Sequence, residues 1–129
     1  MTAGLAVVRE FFDAINSGDV DEAIGLLSPE VRWSRPPDVP ITGTLEGVEA
    51  VRKMWRAFAG SVDRFEMEPT RFESDGERVL AEVTFRGTPA DGGRPFGFSG
   101  AQVFTVRDGR IGEVLEFRSV AEGEAALAR

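Results

Sequence analysis

The chain has 129 residues, 42% of them apolar and 29% charged, with 15 basic against 22 acidic side chains and a net charge of −7. That is one domain's worth of core, with 1–129 read as a single unit. An acidic chain whose arginines are dispersed among acids repels phosphate backbones, which argues against a nucleic-acid partner. Cysteine, histidine and tyrosine are all absent. Disulfides, thiolate and imidazole chemistry, and phenolic oxyanion donors are therefore excluded, and proton transfer falls to a carboxylate, the single lysine Lys53, or water.

No apolar run approaches the length of a membrane span. The start, MTAGLAVVREFF, lacks a basic region followed by a hydrophobic stretch. A cytoplasmic protein without a membrane partner is expected.

In chain order, AGLAVVREFFDAINS (3–17) places Leu5, Val8, Phe11, Phe12 and Ile15 on one helical face, and Gly18 supplies the stop. Asp19 with Glu22 three residues on resembles a capping box opening a second helix through Leu27. Ser28-Pro29 ends that helix. EVRWSR (30–35) follows as a strand halted by Pro36-Pro37. After a loop, GVEAVRKMWRAFAG carries apolar residues at 48, 51, 55 and 58, a third helix closed by Gly60.

The period then changes. Phe65 and Met67 alternate with charges, SDGE (74–77) marks a tight turn, and RVLAEVTFRG begins a strand. TPADGGRP (88–95) reads as a longer loop. FGFSGAQVFTV and RIGEVLEFRSV are two further strands joined by RDGR, and AEGEAALAR is a final helical turn or a frayed tail. Helices followed by a meander predict a segregated α+β domain.

Three stretches together resemble the SnoaL-like branch of the nuclear transport factor 2-like superfamily, which includes ketosteroid isomerases and limonene epoxide hydrolases. They are VVREFFDAINSGDVDEAIGLLSPEVRW (7–33), GTLEGVEAVRKMW (43–55) and VFTVRDGRIGEVLEF (103–117), with the DGERVLAEVTFRG hairpin between the last two. The resemblance implies three N-terminal helices packed on a curved antiparallel sheet that forms an open cone. A small molecule would sit inside, and a homodimer would form through the outer sheet face. It also implies that Gln102, Phe104 and Val106, Val114, Glu116 and Arg118, and Ala81, Val83 and Phe85 face the cavity, with Arg35 entering from the first strand.

Carried over position by position, the family's chemistry is largely missing. The isomerase mechanism needs an aspartate to shuttle a proton, plus a tyrosine and a protonated aspartic acid to hold the developing enolate oxygen. Phe11 stands where the tyrosine belongs, Arg35 at the general base and Gln102 at the protonated acid. Gln102 can still donate a hydrogen bond to an oxyanion, but an arginine is no base at neutral pH. Against the epoxide hydrolase pattern, Val83 and Phe85 replace the arginine and one aspartate, while Glu116 falls at the other aspartate.

The sequence thus nominates Glu116 as the proton-handling candidate, Gln102 as a catalytic hydrogen-bond donor to an oxyanion, and Arg35 as the group for a ligand carboxylate or enolate oxygen. Trp33, Phe11, Trp55, Phe58, Val83, Phe85, Phe104, Val114 and Arg118 are nominated as ligand lining. A cavity lining and a core look alike at this level. An isolated buried charge is strongly disfavoured, so Arg35 needs a partner, and Glu116 is the candidate. That pairing would stabilise the carboxylate form and make it a poorer base.

GTLEG lacks the spacing and lysine of a phosphate loop, and Asp19 and Asp21 read as helix caps rather than metal ligands. No metal and no cofactor are expected. Two readings remain open. The chain binds a small, mostly apolar molecule bearing a carbonyl or carboxylate, with acid–base isomerase, cyclase or hydrolase activity; or it is a non-catalytic ligand-binding or dimerisation module.

Overall fold

The computed structural model describes residues 3–35 and 43–128. The predicted Pro36-Pro37 stop, the loop after it and the end of the tail lie outside the described residues. Helix α1 (Ala3–Asn16) and the short α2 (Val20–Gly25) come first, followed by β1 (Leu27–Arg35), β2 (Gly43–Glu46) and α3 (Val48–Ser61). Four strands complete a sheet: β3 (Val62–Asp75), β4 (Arg78–Pro89), β5 (Phe96–Arg107) and β6 (Arg110–Phe117). Helix α4 (Val120–Leu127) closes the chain.

The strands form one six-stranded sheet in the order β2-β1-β6-β5-β4-β3. Helices α1, α2 and α3 pack on its concave face, giving the expected α+β cone. The expected all-antiparallel sheet is corrected to a mixed one, because β1 runs parallel to β6 with Trp33 beside Val114. The long stretch of chain between these strands lets the return strand approach in either sense, and the inward side chains fix the register.

Local chemistry explains most boundaries. Asp19 caps α2 by accepting from the Glu22 amide at 3.0 Å. In the RDGR turn, Asp108 (φ 52°) and Gly109 (φ 74°) are both left-handed, the geometry of a two-residue hairpin that Asp-Gly favours. Asn16, the last residue of α1, bonds the Met67 backbone twice, donating to its carbonyl and accepting from its amide, each at 2.8 Å. Its side chain thereby extends the ladder beyond edge strand β3 and fastens α1 to it.

Three expectations need revision. Strand β1 begins at Leu27 and runs through Ser28-Pro29, so α2 ends earlier than expected. GTLE is a strand, β2, paired to β1 with Leu45 beside Trp33. The tail is a helix rather than a turn. Ser119 accepts from the Glu122 amide at 3.1 Å, and Ala126 and Leu127 pack on Leu80, Ala101 and Val103 of the convex face. Gly123 makes that seat possible, since a Cβ there would lie 2.8 Å from Leu80 Cδ1 and 2.9 Å from the Ala101 Cβ.

Candidate functional site

The pleat sorts side chains between the two faces. On β1 it turns Val31, Trp33 and Arg35 inward; on β6, Val114 and Glu116; on β5, Gln102 and Phe104; on β4, Ala81 and Val83. Cross-strand register then brings the polar members together. Gln102 lies opposite Glu116 and beside Ala81, while Ser34 stands next to Leu115, which puts Arg35 in the row of Glu116.

The three side chains converge. Arg35 Nε donates to Glu116 Oε1 at 2.9 Å, and Gln102 Nε2 donates to Glu116 Oε2 at 2.8 Å. Arg35 Nη1 also reaches the Met54 sulfur at 3.7 Å. Gln102 is fully buried, whereas the Arg35 and Glu116 side chains keep 24% and 13% of their surface exposed. A guanidinium shares the face of Val31 and Trp33 because a carboxylate from β6 neutralises it there.

Around this cluster stands an aromatic shell. Trp33 packs on Phe11 and, edge to face, on Trp55, with centroids 6.0 Å apart in each case. Phe104 packs on Phe11 at 5.9 Å. From Trp55 the rings continue outward through Phe58 and Phe65 to Phe85, which stacks at 4.7 Å on the exposed Phe98.

Of the nominated lining residues, Phe11, Trp33, Val83, Phe104 and Val114 are fully buried and interlocked in the core. Trp55 is buried, and Phe58 and Phe85 are half-buried beside the core. Arg118 is exposed and follows Phe117, the last residue of β6, where the alternation that would turn it inward has ended.

The cluster holds buried polar atoms without partners. Among the described residues these are Gln102 Oε1, Trp33 Nε1 and Trp55 Nε1. The donor that the sequence leads one to expect from Gln102 is not offered to a ligand oxygen. Its amide nitrogen instead serves Glu116, and the pole left over is an acceptor. The two indole N–H groups are buried donors that the sequence does not point to. The only signal for them is tryptophan on an inward strand position and on the facing helix.

A concavity of about 910 Å³ opens where the ends of α1 and α3 meet β3, β4 and β5, lined by Trp55, Phe58, Arg64, Phe65, Arg86 and Phe96 among others. Arg35, Gln102 and Glu116 do not line it. In chemical terms the inner cluster offers a neutralised ion pair and one buried acceptor, and the indoles of Trp33 and Trp55 add two buried donors to the same core.

A helix-wrapped cone with its polar groups on the concave face is the class of protein this architecture defines. The family model for the SnoaL-like domain matches residues 8–114, so the chain belongs to the SnoaL-like family of the nuclear transport factor 2-like superfamily. No curated protein matches the sequence. Among solved structures, the chain is similar to an NTF2-like protein of unknown function from Burkholderia pseudomallei, with 24% identity over 100% of both chains and a TM-score of 0.81. It is also similar to an NTF2-like protein from Burkholderia xenovorans, with 26% identity over 99% of this chain and 95% of that one, at a TM-score of 0.77. An LEH-like epoxide hydrolase from M. tuberculosis shares 25% identity over 99% of this chain and 91% of its own, at a TM-score of 0.75.

Proposed function

We propose that this SnoaL-like protein binds a small, largely apolar molecule on the concave face, against Arg35, Glu116 and Gln102, without acid–base turnover at Glu116. The observation that carries the reading is that both carboxylate oxygens of Glu116 are engaged, one by Arg35 and one by Gln102, in an interior that keeps unpartnered polar atoms. A general base must reach the proton it takes, and here each oxygen already holds one donor while Arg35 neutralises the charge. The likeness to an epoxide hydrolase does not change this, because Val83 and Phe85 bring only apolar side chains where that chemistry needs an arginine and an aspartate.

A homodimer would use the part of the convex face that α4 leaves uncovered.

The two tryptophans of the chain are both buried in the core with unpartnered N–H groups, so intrinsic fluorescence and thermal shift together screen for ligands there. Apolar oxygenated compounds should raise Tm and perturb the emission. Gln102→Leu should abolish the effect, while Ala59→Trp, which fills the outer cleft, should leave the Tm shift in place. Loss of the shift in the Ala59→Trp variant with retention in Gln102→Leu would move binding to the outer cleft and overturn the proposal.

A further inference from the structure

The buried atoms around Glu116 are not an arbitrary set. As a carboxylate held by Arg35, Glu116 is an acceptor only. The Gln102 amide must therefore turn its nitrogen toward Oε2, since the reverse orientation would set oxygen against oxygen. Glu116 thus decides that the unpartnered pole of Gln102 is Oε1, an acceptor fully buried in the core. Across the same interior, Trp33 and Trp55 meet edge to face, and each withholds an N–H that reaches no partner.

Glu116 has a second effect. An arginine alone on an apolar wall would select an anion, but here its charge is cancelled at 2.9 Å. A ligand carboxylate entering this site would lose its hydration and meet Glu116 with no surplus cation to balance it.

Resting on the reading that the concave face is a ligand site, we infer that Glu116 is a specificity-determining residue. By neutralising Arg35 and orienting Gln102, it sets the site to take a neutral molecule that donates a hydroxyl hydrogen to Gln102 Oε1 and accepts from the indoles, and to refuse the corresponding carboxylate. A site that must satisfy a buried acceptor discriminates strongly against a partner lacking the donor. Replacing Glu116 by Gln removes both settings at once. Arg35 regains a free charge, and the Gln102 amide is free to turn over, because a neutral amide at position 116 both donates and accepts.

The test uses matched alcohol and carboxylate probes on the same frame: cyclohexylmethanol with cyclohexanecarboxylate, and 1-adamantanol with 1-adamantanecarboxylate. None absorbs where indole is excited. Titration of the full chain, followed by tryptophan emission at neutral pH, should show the alcohol of each pair bound at least about tenfold more tightly by the wild type, the effect of about one buried hydrogen bond. In Glu116→Gln the ratio should fall to about unity or invert. In Gln102→Leu, which leaves the ion pair in place, the alcohol preference should vanish without any gain for the carboxylate, and circular dichroism checks that both variants are folded. Equal or tighter binding of the carboxylate by the wild type would overturn the inference and leave the ligand site standing. An unchanged ratio in folded Glu116→Gln would do the same. If no probe perturbs either tryptophan, the concave-face site falls, and the inference with it.

Discussion

The two faces of the sheet use the same ions for different ends. On the concave face the Arg35 guanidinium meets the Glu116 carboxylate, partly buried and backed by a buried amide. On the convex face Arg71 reaches Glu73, Glu82 and Glu124, and Arg86 reaches Glu66 and Glu68, all of them substantially open to water. The hydrogen bond to Glu82 raises the Arg71 guanidinium above its ordinary value, and that to Glu68 does so for Arg86, so neither guanidinium loses its charge near neutrality. Exposed pairs of this kind contribute little to stability because water and salt screen them. The concave pair is shielded and expensive to desolvate, and pairs of that kind are weak contributors to stability.

Substitutions can break this contrast. The largest expected effect lies in the rings that enclose the cluster. Phe104→Ala removes a fully buried side chain packed on Phe11 and Phe12, and urea denaturation should show a loss of about 3–5 kcal/mol. Next comes Arg35→Met, which strands the Glu116 carboxylate. A fully buried pair broken this way costs about 3–5 kcal/mol, and the remaining solvent access here reduces the expectation to about 2–3 kcal/mol. The double variant Arg35→Met with Glu116→Leu should recover to within about 1 kcal/mol of the wild type. A double variant as unstable as the single one would show that the pair is structural after all.

A smaller effect is expected away from both faces. Asn16→Ala loses two hydrogen bonds to the Met67 backbone, and its denaturation midpoint should correspond to a loss of about 1–2 kcal/mol, with faster amide exchange at Met67 as the sharper readout. The smallest belongs to the convex face. Arg86→Ala should leave the midpoint unchanged within error at physiological salt, and a marked drop would mean that the outer ion pairs are worth more than their exposure allows.

The sequence carries the site further than it carries the sheet. Strand alternation and the ordered stretches at 7–33, 43–55 and 103–117 are enough to bring Arg35, Gln102 and Glu116 to one face, because a period of two leaves no freedom once the register is fixed. The Asp-Gly turns and the amphipathic stripe of α1 are equally legible, being set by local chemistry. Strand β2 is not. Four residues give too little alternation to show, and they are held by pairing with β1 rather than by any preference of their own. The parallel β1–β6 contact joins segments from opposite ends of the chain, and no local signal encodes its direction. Helix α4 hides behind Gly123, a poor helix former that becomes an asset only against Leu80 and Ala101 of the sheet. Gln102 reads as a donor in the sequence because its partner's demand on the amide nitrogen exists only in three dimensions.

The most direct test of the concave-face site watches its two indole protons. In a nitrogen-15 correlation spectrum the chain gives two indole N–H signals, from Trp33 and Trp55. Saturation with 1-adamantanol should shift both downfield as the buried donors gain acceptors, and should slow their exchange. If both signals stay in place while the probe binds by another measure, the concave cluster is not the ligand site, and its buried polar atoms serve something other than recognition.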